Sequence, residues 1–328
     1  MGEMIPSSTL HFHEHSGEIP REVIRIHASA LPIAEAAILA NQWEAALSAN
    51  DWQGWRSMAV VDPQGEVIAA IVGRVYAGNL AAVWPPQVCS AWQQRQAGEM
   101  PLVEALCNDL VERFVAFLSR EPITLLQATL SPDDISGERL QRNQFQLAAE
   151  LLFLTCPAEL FPIHPPSSDL SFEPYTPSQF ADLSAIVEAT YRHTLDVPAL
   201  NGLRSTADVI DGYLATGSSG SQHWRLIYQA NQPIGCLILA EHAPHRLLEL
   251  VYMGIAPVAR GKGWGEVVVA YAKWLSRSLQ ISQLVLTVDE ANHPARRIYA
   301  AAGFSPWDRR RVLLRTLVSN ADETSQTQ

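Results

Sequence analysis

Two stretches of the 328-residue chain hold residue types at spacings that could do chemistry. The first is ELVYMGIAPVARGKGWG, Glu249 to Gly265. A strand-like run passes into a glycine-rich turn, and Val267, Val268, Tyr271, Trp274, Leu275 and Leu279 then recur at helical spacing. Glycines let a backbone approach a ligand closely, and a helix start offers unpaired N–H groups at the positive end of its dipole. Strand, turn and helix together describe a pyrophosphate cradle. The nucleotide P-loop pattern fails because Gly261-Lys262 is followed by Gly263 rather than Ser or Thr. The dinucleotide pattern fails because Glu266 stands where its third glycine is required.

The second stretch is LTVDEANHPARRIYAAAGF, Leu286 to Phe304. Asn292 suits a helix N-cap, Pro294 the first turn, and Gly303 the helix end. Asn292 and Tyr299 are two helical turns apart and share a face. Taken together, Arg260-x-x-Gly263-x-Gly265 and Asn292-x-x-Ala295-x-x-x-Tyr299-x-x-x-Gly303-Phe304 resemble the two signatures of the GNAT acyltransferase superfamily, and the resemblance covers residues 172–317. It implies acetyl-CoA as acyl donor. The pantetheine would run along Tyr252, Met253, Gly254 and Ile255, with Asn292 nearby. The pyrophosphate would sit on the backbone of Arg260, Gly261, Lys262, Gly263, Trp264 and Gly265. Tyr299 would protonate the departing thiolate as general acid, and acyl transfer to an amine would be direct, without a covalent enzyme intermediate. Glu249 stands where the histone acetyltransferase branch keeps a strand glutamate as base. Its alternatives are a solvent-facing carboxylate, a pair with Arg246, or replacement by a water chain. The polar link YRHTLDVPALNGLR, Tyr191 to Arg204, matches a segment that the superfamily uses for the acceptor, so Asp196, Asn201 and Arg204 are expected to bind substrate or to cap their loop.

These motifs need elements to hold them. The C-terminal half reads as helix Thr176–Tyr191, helix Thr206–Ala215, and strands Trp224–Gln229, Ile234–His242 and Arg246–Ile255. Helix Gly263–Leu279, strand Leu284–Val288, helix Pro294–Ala302 and strand material to Leu317 follow. The N-terminal half echoes the order: a helix at Ile33–Leu47, a hairpin at Asp62–Gly65, strands Val67–Tyr76 and Leu80–Val83, helix Leu102–Leu118, strand Ile123–Thr129, and a short helix before Phe145. Its turn counterpart, Arg95-x-x-Gly98-x-Met100, lacks the last small residue. Leu140 falls opposite Tyr299, Asp133 opposite Asn292, and Pro85-Pro86 interrupts the candidate cofactor strand. This half resembles a degenerate GNAT domain, and the two-domain plan is similar to that of the mycothiol synthase family. The fold class expected is α+β (mixed α/β): two GNAT-like domains, each a mixed, mostly antiparallel sheet flanked by helices. The divisions are an N-terminal segment 1–19, a degenerate domain 20–155, a Pro-rich linker 156–171, a catalytic domain 172–317 and a polar tail 318–328.

Composition narrows the partners. With 48% hydrophobic and 17% charged residues the chain can bury a core, so general disorder is excluded. A net charge of −11 argues against nucleic acid, which needs basic residues to neutralise phosphates. No apolar run is long enough for a membrane span. Glu3 and the early histidines are unlike a signal peptide, and Cys89, Cys107, Cys156 and Cys236 show no CxxC spacing. Four buried thiols in the cytoplasm are expected, without a metal: His11, His13 and His15 read as solvated histidines. Arg309, Arg310 and Arg311 read as an exposed basic strand face, or as a contact for the cofactor's 3′-phosphate. The activity expected is acetyl transfer from acetyl-CoA to a primary amine, on a small molecule. The alternatives are a non-catalytic acyl-CoA-binding or sensing protein, and a protein N-terminal or lysine acetyltransferase. The oligomeric state is not legible.

Overall fold

The structure, a computed structural model, describes residues 10–30, 43, 44, 46, 48, 51–96 and 100–317. The chain divides into two compact units: unit 1 is Met1–Leu147 with Leu313–Gln328, and unit 2 is Ala148–Val312. The helix expected at Ile33–Leu47 lies mostly outside the described residues, as does Gly98.

Unit 1 opens with β1 (His11–Ser16) and α1 (Arg21–Ala30). An antiparallel ladder follows, of β2 (Trp55–Val61), β3 (Val67–Tyr76) and β4 (Leu80–Val88). After α2 (Ser90–Arg95) and α3 (Met100–Leu118), β5 (Leu125–Leu130) pairs parallel to β4, and α4 (Ser136–Arg142) completes the run. Val103, Leu106, Leu110, Val111, Phe114 and Leu118 recur at helical spacing on α3 and form its buried stripe over the sheet. On another face Trp43, Trp52 and Trp55 pack with Val23 of α1, and Trp84 joins them. Strand β4 runs on through Pro85-Pro86 to Val88, past the expected end at Val83. The register slips there: Val72 pairs with Trp84 and Ala70 with Gln87, which leaves both prolines opposite one residue, in a bulge that asks no ladder N–H of them.

Unit 2 begins in β6 (Gln146–Pro157) and continues with β7 (Leu170–Pro174), α5 (Phe180–Tyr191), α6 (Thr206–Leu214), β8 (Arg225–Gln229), β9 (Gln232–His242) and β10 (Leu247–Ile255). Then come α7 (Trp264–Ser278), β11 (Gln283–Asp289), α8 (His293–Ala301) and β12 (Ser305–Thr316), whose residues from Leu313 belong to unit 1. The strand order is β6-β11-β10-β9-β8-β7, antiparallel except for the β10–β11 pair. Val268, Val269, Ala272 and Leu275 of α7 bury against Leu248, Leu250, Leu284 and Leu286 of the sheet. The Pro-rich stretch 156–171 does not separate the units as expected. Cys156 and Pro157 end β6, whose ladder with β11 runs from Leu151↔Asp289 to Pro157↔Gln283 and makes it a strand of unit 2. The irregular residues that follow are therefore internal to that unit.

Both units close their short helix in one way. The Phe145 N–H reaches the Leu140 carbonyl at 3.1 Å, and the Phe304 N–H reaches the Tyr299 carbonyl at 3.0 Å. Gln144 at φ 64° and Gly303 at φ 88° make the left-handed step in each case. The two short helices thus share one C-terminal backbone geometry although few residues are identical. Leu140 is fully buried in the core where unit 2 has a tyrosine.

Candidate active site

Strands β10 and β11 pair in parallel only over Leu247–Leu250 and Gln283–Leu286, and then part. A register shift between Leu250 and Tyr252 bends β10 at the parting, while Tyr252–Ile255 stay bonded to β9 on their other edge. The gap opens into a cleft of about 550 Å³. Tyr252, Met253, Gly254 and Ile255 line it on one side and Thr287 and Val288 on the other. The turn residues Arg260, Gly261, Gly263, Trp264 and Gly265 close one end, and Asn292, Tyr299 and the loop His193–Asp196 complete it.

The turn's glycines have separate reasons. Gly261 and Gly263 sit at φ 77° and 78°, where any side chain is strained. A Cβ at Gly261 would meet nothing within 4 Å and one at Gly263 only Glu266 Oε2, so the space above the turn is open. At Gly265 a Cβ would stand 2.7 Å from Ile298 Cδ1, so this glycine serves the packing of α7 on α8. Helix α7 starts at Trp264 without a side-chain cap, which leaves its first N–H groups available to an anion.

The Arg260 guanidinium is already engaged. It donates to the carbonyls of Ile255 at 2.8 Å, Thr190 at 2.6 Å, Arg192 at 2.9 Å and His193 at 3.3 Å. It therefore caps the C-terminal end of α5, where a cation also meets the negative end of the helix dipole. Gly254 serves the same junction, since a Cβ there would lie 2.6 Å from Thr190 Cβ. Thr190 Oγ1 donates its one proton to Val187 O at 2.8 Å, so the Tyr252 hydroxyl, 2.8 Å away, donates to Thr190.

Tyr299 is buried, edge-on to Phe304. Desolvation, and after it the charge of Asp196, push its phenol well above the ordinary range. Asn292 caps α8 by accepting from the Ala295 N–H at 3.3 Å. Asp196 stays exposed as a residue, but its Oδ1 accepts from the Asp289 N–H at 3.2 Å inside the cleft. Desolvation and then the Asp289 charge raise its carboxyl above the usual carboxylate value.

Several expected residues stand elsewhere. Leu248 and Leu250 turn into the core under α7, so strand alternation sends Glu249 to the other face. There its carboxylate accepts from His242 Nε2 at 2.8 Å, and Arg246 instead donates to the Gln280 carbonyl. Lys262 does not line the cleft. Neither does Asn201, nor Arg204, which donates to the Asp208 carbonyl at 2.5 Å beside the start of α6. On β12, Arg309 is paired with Glu150 and Glu290, and Arg310 is buried against Asp308. Cys107, Cys156 and Cys236 are buried thiols, but Cys89, beside α2, is half-buried. Residues absent from the expected set are Thr190, His193, Glu266 and Asp289. Of these only Asp289 carried a signal, an aspartate three residues before the Asn292 cap.

A parallel strand pair that opens over a glycine turn, with a tyrosine on the following helix, defines a GNAT-type acetyltransferase fold. Residues 192–304 match the acetyltransferase (GNAT) family, and this part of unit 2 is a domain of that family. Among solved structures, a GCN5-related N-acetyltransferase from Sphaerobacter thermophilus is similar over 95% of this chain and 97% of its own, at 14% identity and TM-score 0.60. A glucosamine N-acetyltransferase region of a fungal multi-domain GH3 β-N-acetylglucosaminidase is similar over 80% of this chain and 33% of its own, at 15% identity and TM-score 0.54. At these identities the likeness is one of fold. No curated protein sequence matches the chain.

Proposed function

We propose that unit 2 moves an acetyl group from acetyl-CoA to a primary amine on a small molecule, within a ternary complex. The observation that carries this reading is the convergence, in one cleft, of an uncapped helix start, an open strand edge and a buried phenol beside a carboxylate. The open space over Gly261 and Gly263 fits a pyrophosphate, and the free edge of Tyr252–Ile255 fits the amides of a pantetheine arm. When bound, the thioester supplies an activated acyl carbon. The chain's residues supply the proton traffic. Tyr299, kept protonated by its surroundings, hands a proton to the departing sulfur. Asp196 attracts the acceptor's ammonium group and, with its carboxyl raised, takes the proton that the amine must lose. The base is thereby moved from Glu249 to Asp196, because Asp196 lines the cleft and Glu249 is held by His242.

Unit 1 fits a non-catalytic role. Leucine replaces the tyrosine, and Pro85-Pro86 offer no N–H on the strand equivalent to β10. Free thiols suit the cytoplasm, and no helix among the described residues is long and apolar enough to cross a membrane. The test is thiol release from acetyl-CoA against a panel of primary amines, with acetyl-CoA affinity measured by calorimetry. Binding without transfer to any amine would make the unit a binding or sensing module. Absence of binding would end the reading.

A further inference from the structure

The loop that carries Asp196 holds two non-glycine residues in the left-handed region, His193 at φ 55° and Val197 at φ 39°. Val197 is β-branched, the residue type least suited to that region, and such a conformation persists only where the surroundings impose it. Each strained residue is held by one side chain from an element of the cleft. The His193 carbonyl accepts from Arg260 at 3.3 Å, and the Val197 N–H donates to Asp289 Oδ2 at 3.2 Å. Asp289, buried at the end of β11, has its other oxygen on the Ala291 N–H at 2.9 Å, and its own N–H meets Asp196 Oδ1. It thus ties together the loop, the turn into α8 and the carboxylate that faces the acceptor.

We propose that Asp289 is a positioning residue, which with Arg260 holds the loop 192–197 in its strained shape and so sets Asp196 beside Tyr299. The inference rests on the function proposed above for Asp196, but its geometric half can be tested without that function. Asp289 touches neither donor nor acceptor in this arrangement; it acts through Val197 and Asp196. The groups that act electrostatically on Asp196, or feel its charge, are Asp289 from β11, Tyr299 from α8, Tyr191 from α5 and Tyr252 from β10. The three phenols are raised by burial and stay neutral, which leaves Asp289 as the charge among them.

The test is Asp289→Asn in the full chain, with Val197→Gly as a companion. Asparagine keeps one acceptor oxygen, but its amide nitrogen cannot accept from Val197. Amide hydrogen exchange over 192–197 should quicken by roughly tenfold or more, while peptides of α7 stay as they were. Glycine at Val197 takes the left-handed conformation without strain, so the double variant should regain most of the protection. Acetyl-CoA affinity by calorimetry should not change. With the best amine of the panel, the acceptor KM should rise about tenfold or more. The acid limb of kcat/KM should move to lower pH, since removing the Asp289 charge lowers Asp196. Unchanged exchange over 192–197, or no recovery in the double variant, would overturn the proposal. Should no amine react, the function proposed for the cleft fails, and the exchange results still decide whether Asp289 pins the loop.

Discussion

Tyr299→Phe separates the proposed acid from its packing. The ring is 5% exposed and lies 5.6 Å from Phe304 between centroids, so phenylalanine keeps the apolar contacts and only a hydroxyl is removed. One buried hydroxyl contributes about 0.5–1.5 kcal/mol to stability, so the melting temperature should move by only a few degrees. Acetyl-CoA affinity should hold within about twofold, because the proposed cradle is backbone of the Arg260–Gly265 turn. Turnover should fall by about 10²–10⁴, which corresponds to roughly 3–5 kcal/mol of barrier. Burial, and then the Asp196 charge, keep the phenol protonated well above neutrality, so the fractional loss should be flat from about pH 6 to 9. The assay is thiol release with a reactive amine, paired with calorimetry and thermal melting of both proteins. Turnover within twofold of the parent would refute the acid role and reduce Tyr299 to a core aromatic.

Two carboxylates can be told apart by Asp196→Asn and Glu249→Gln. The first should cut kcat/KM by about 10² or more and remove the acid limb, while the second should stay within about threefold; the reverse ranking restores Glu249 as base. Gly263→Val should abolish measurable acetyl-CoA binding, since a β-branched residue at φ 78° both strains the turn and fills the open space above it, and calorimetry reads this directly. His27 of α1 is fully buried, which lowers its pKa to about 4. The unfolded chain therefore takes up a proton below about pH 6.5 that the folded unit refuses, so unit 1 should lose about 3 kcal/mol as pH falls from 6.5 to 4. Denaturant midpoints against pH, compared with His27→Gln, test this; equal slopes for the two proteins would remove His27 as the cause.

The sequence by itself determined the local features of unit 2. The glycines of Gly261–Gly265, the Asn292 cap and the helical stripe of α7 are dictated by backbone conformation and short-range periodicity, and these are written in neighbouring residues. The same holds for Leu140 in place of Tyr299, which marked unit 1 as lacking the proposed acid. Only the tertiary structure decided which side chains meet. In sequence Glu249 stood as the candidate base and Asp196 as a substrate contact or loop cap. Glu249 precedes the part of β10 that lines the cleft, and His242, two strand residues beyond its register partner Ala240, holds its carboxylate. The loop 193–196 lines the cleft and carries Asp196, whose Oδ1 accepts from the Asp289 N–H, 93 residues along the chain. The boundary between the units was hidden for a similar reason. Proline content at 156–171 reports local stiffness, whereas β6 belongs to unit 2 through its ladder with β11, a pairing between distant residues that no local pattern encodes.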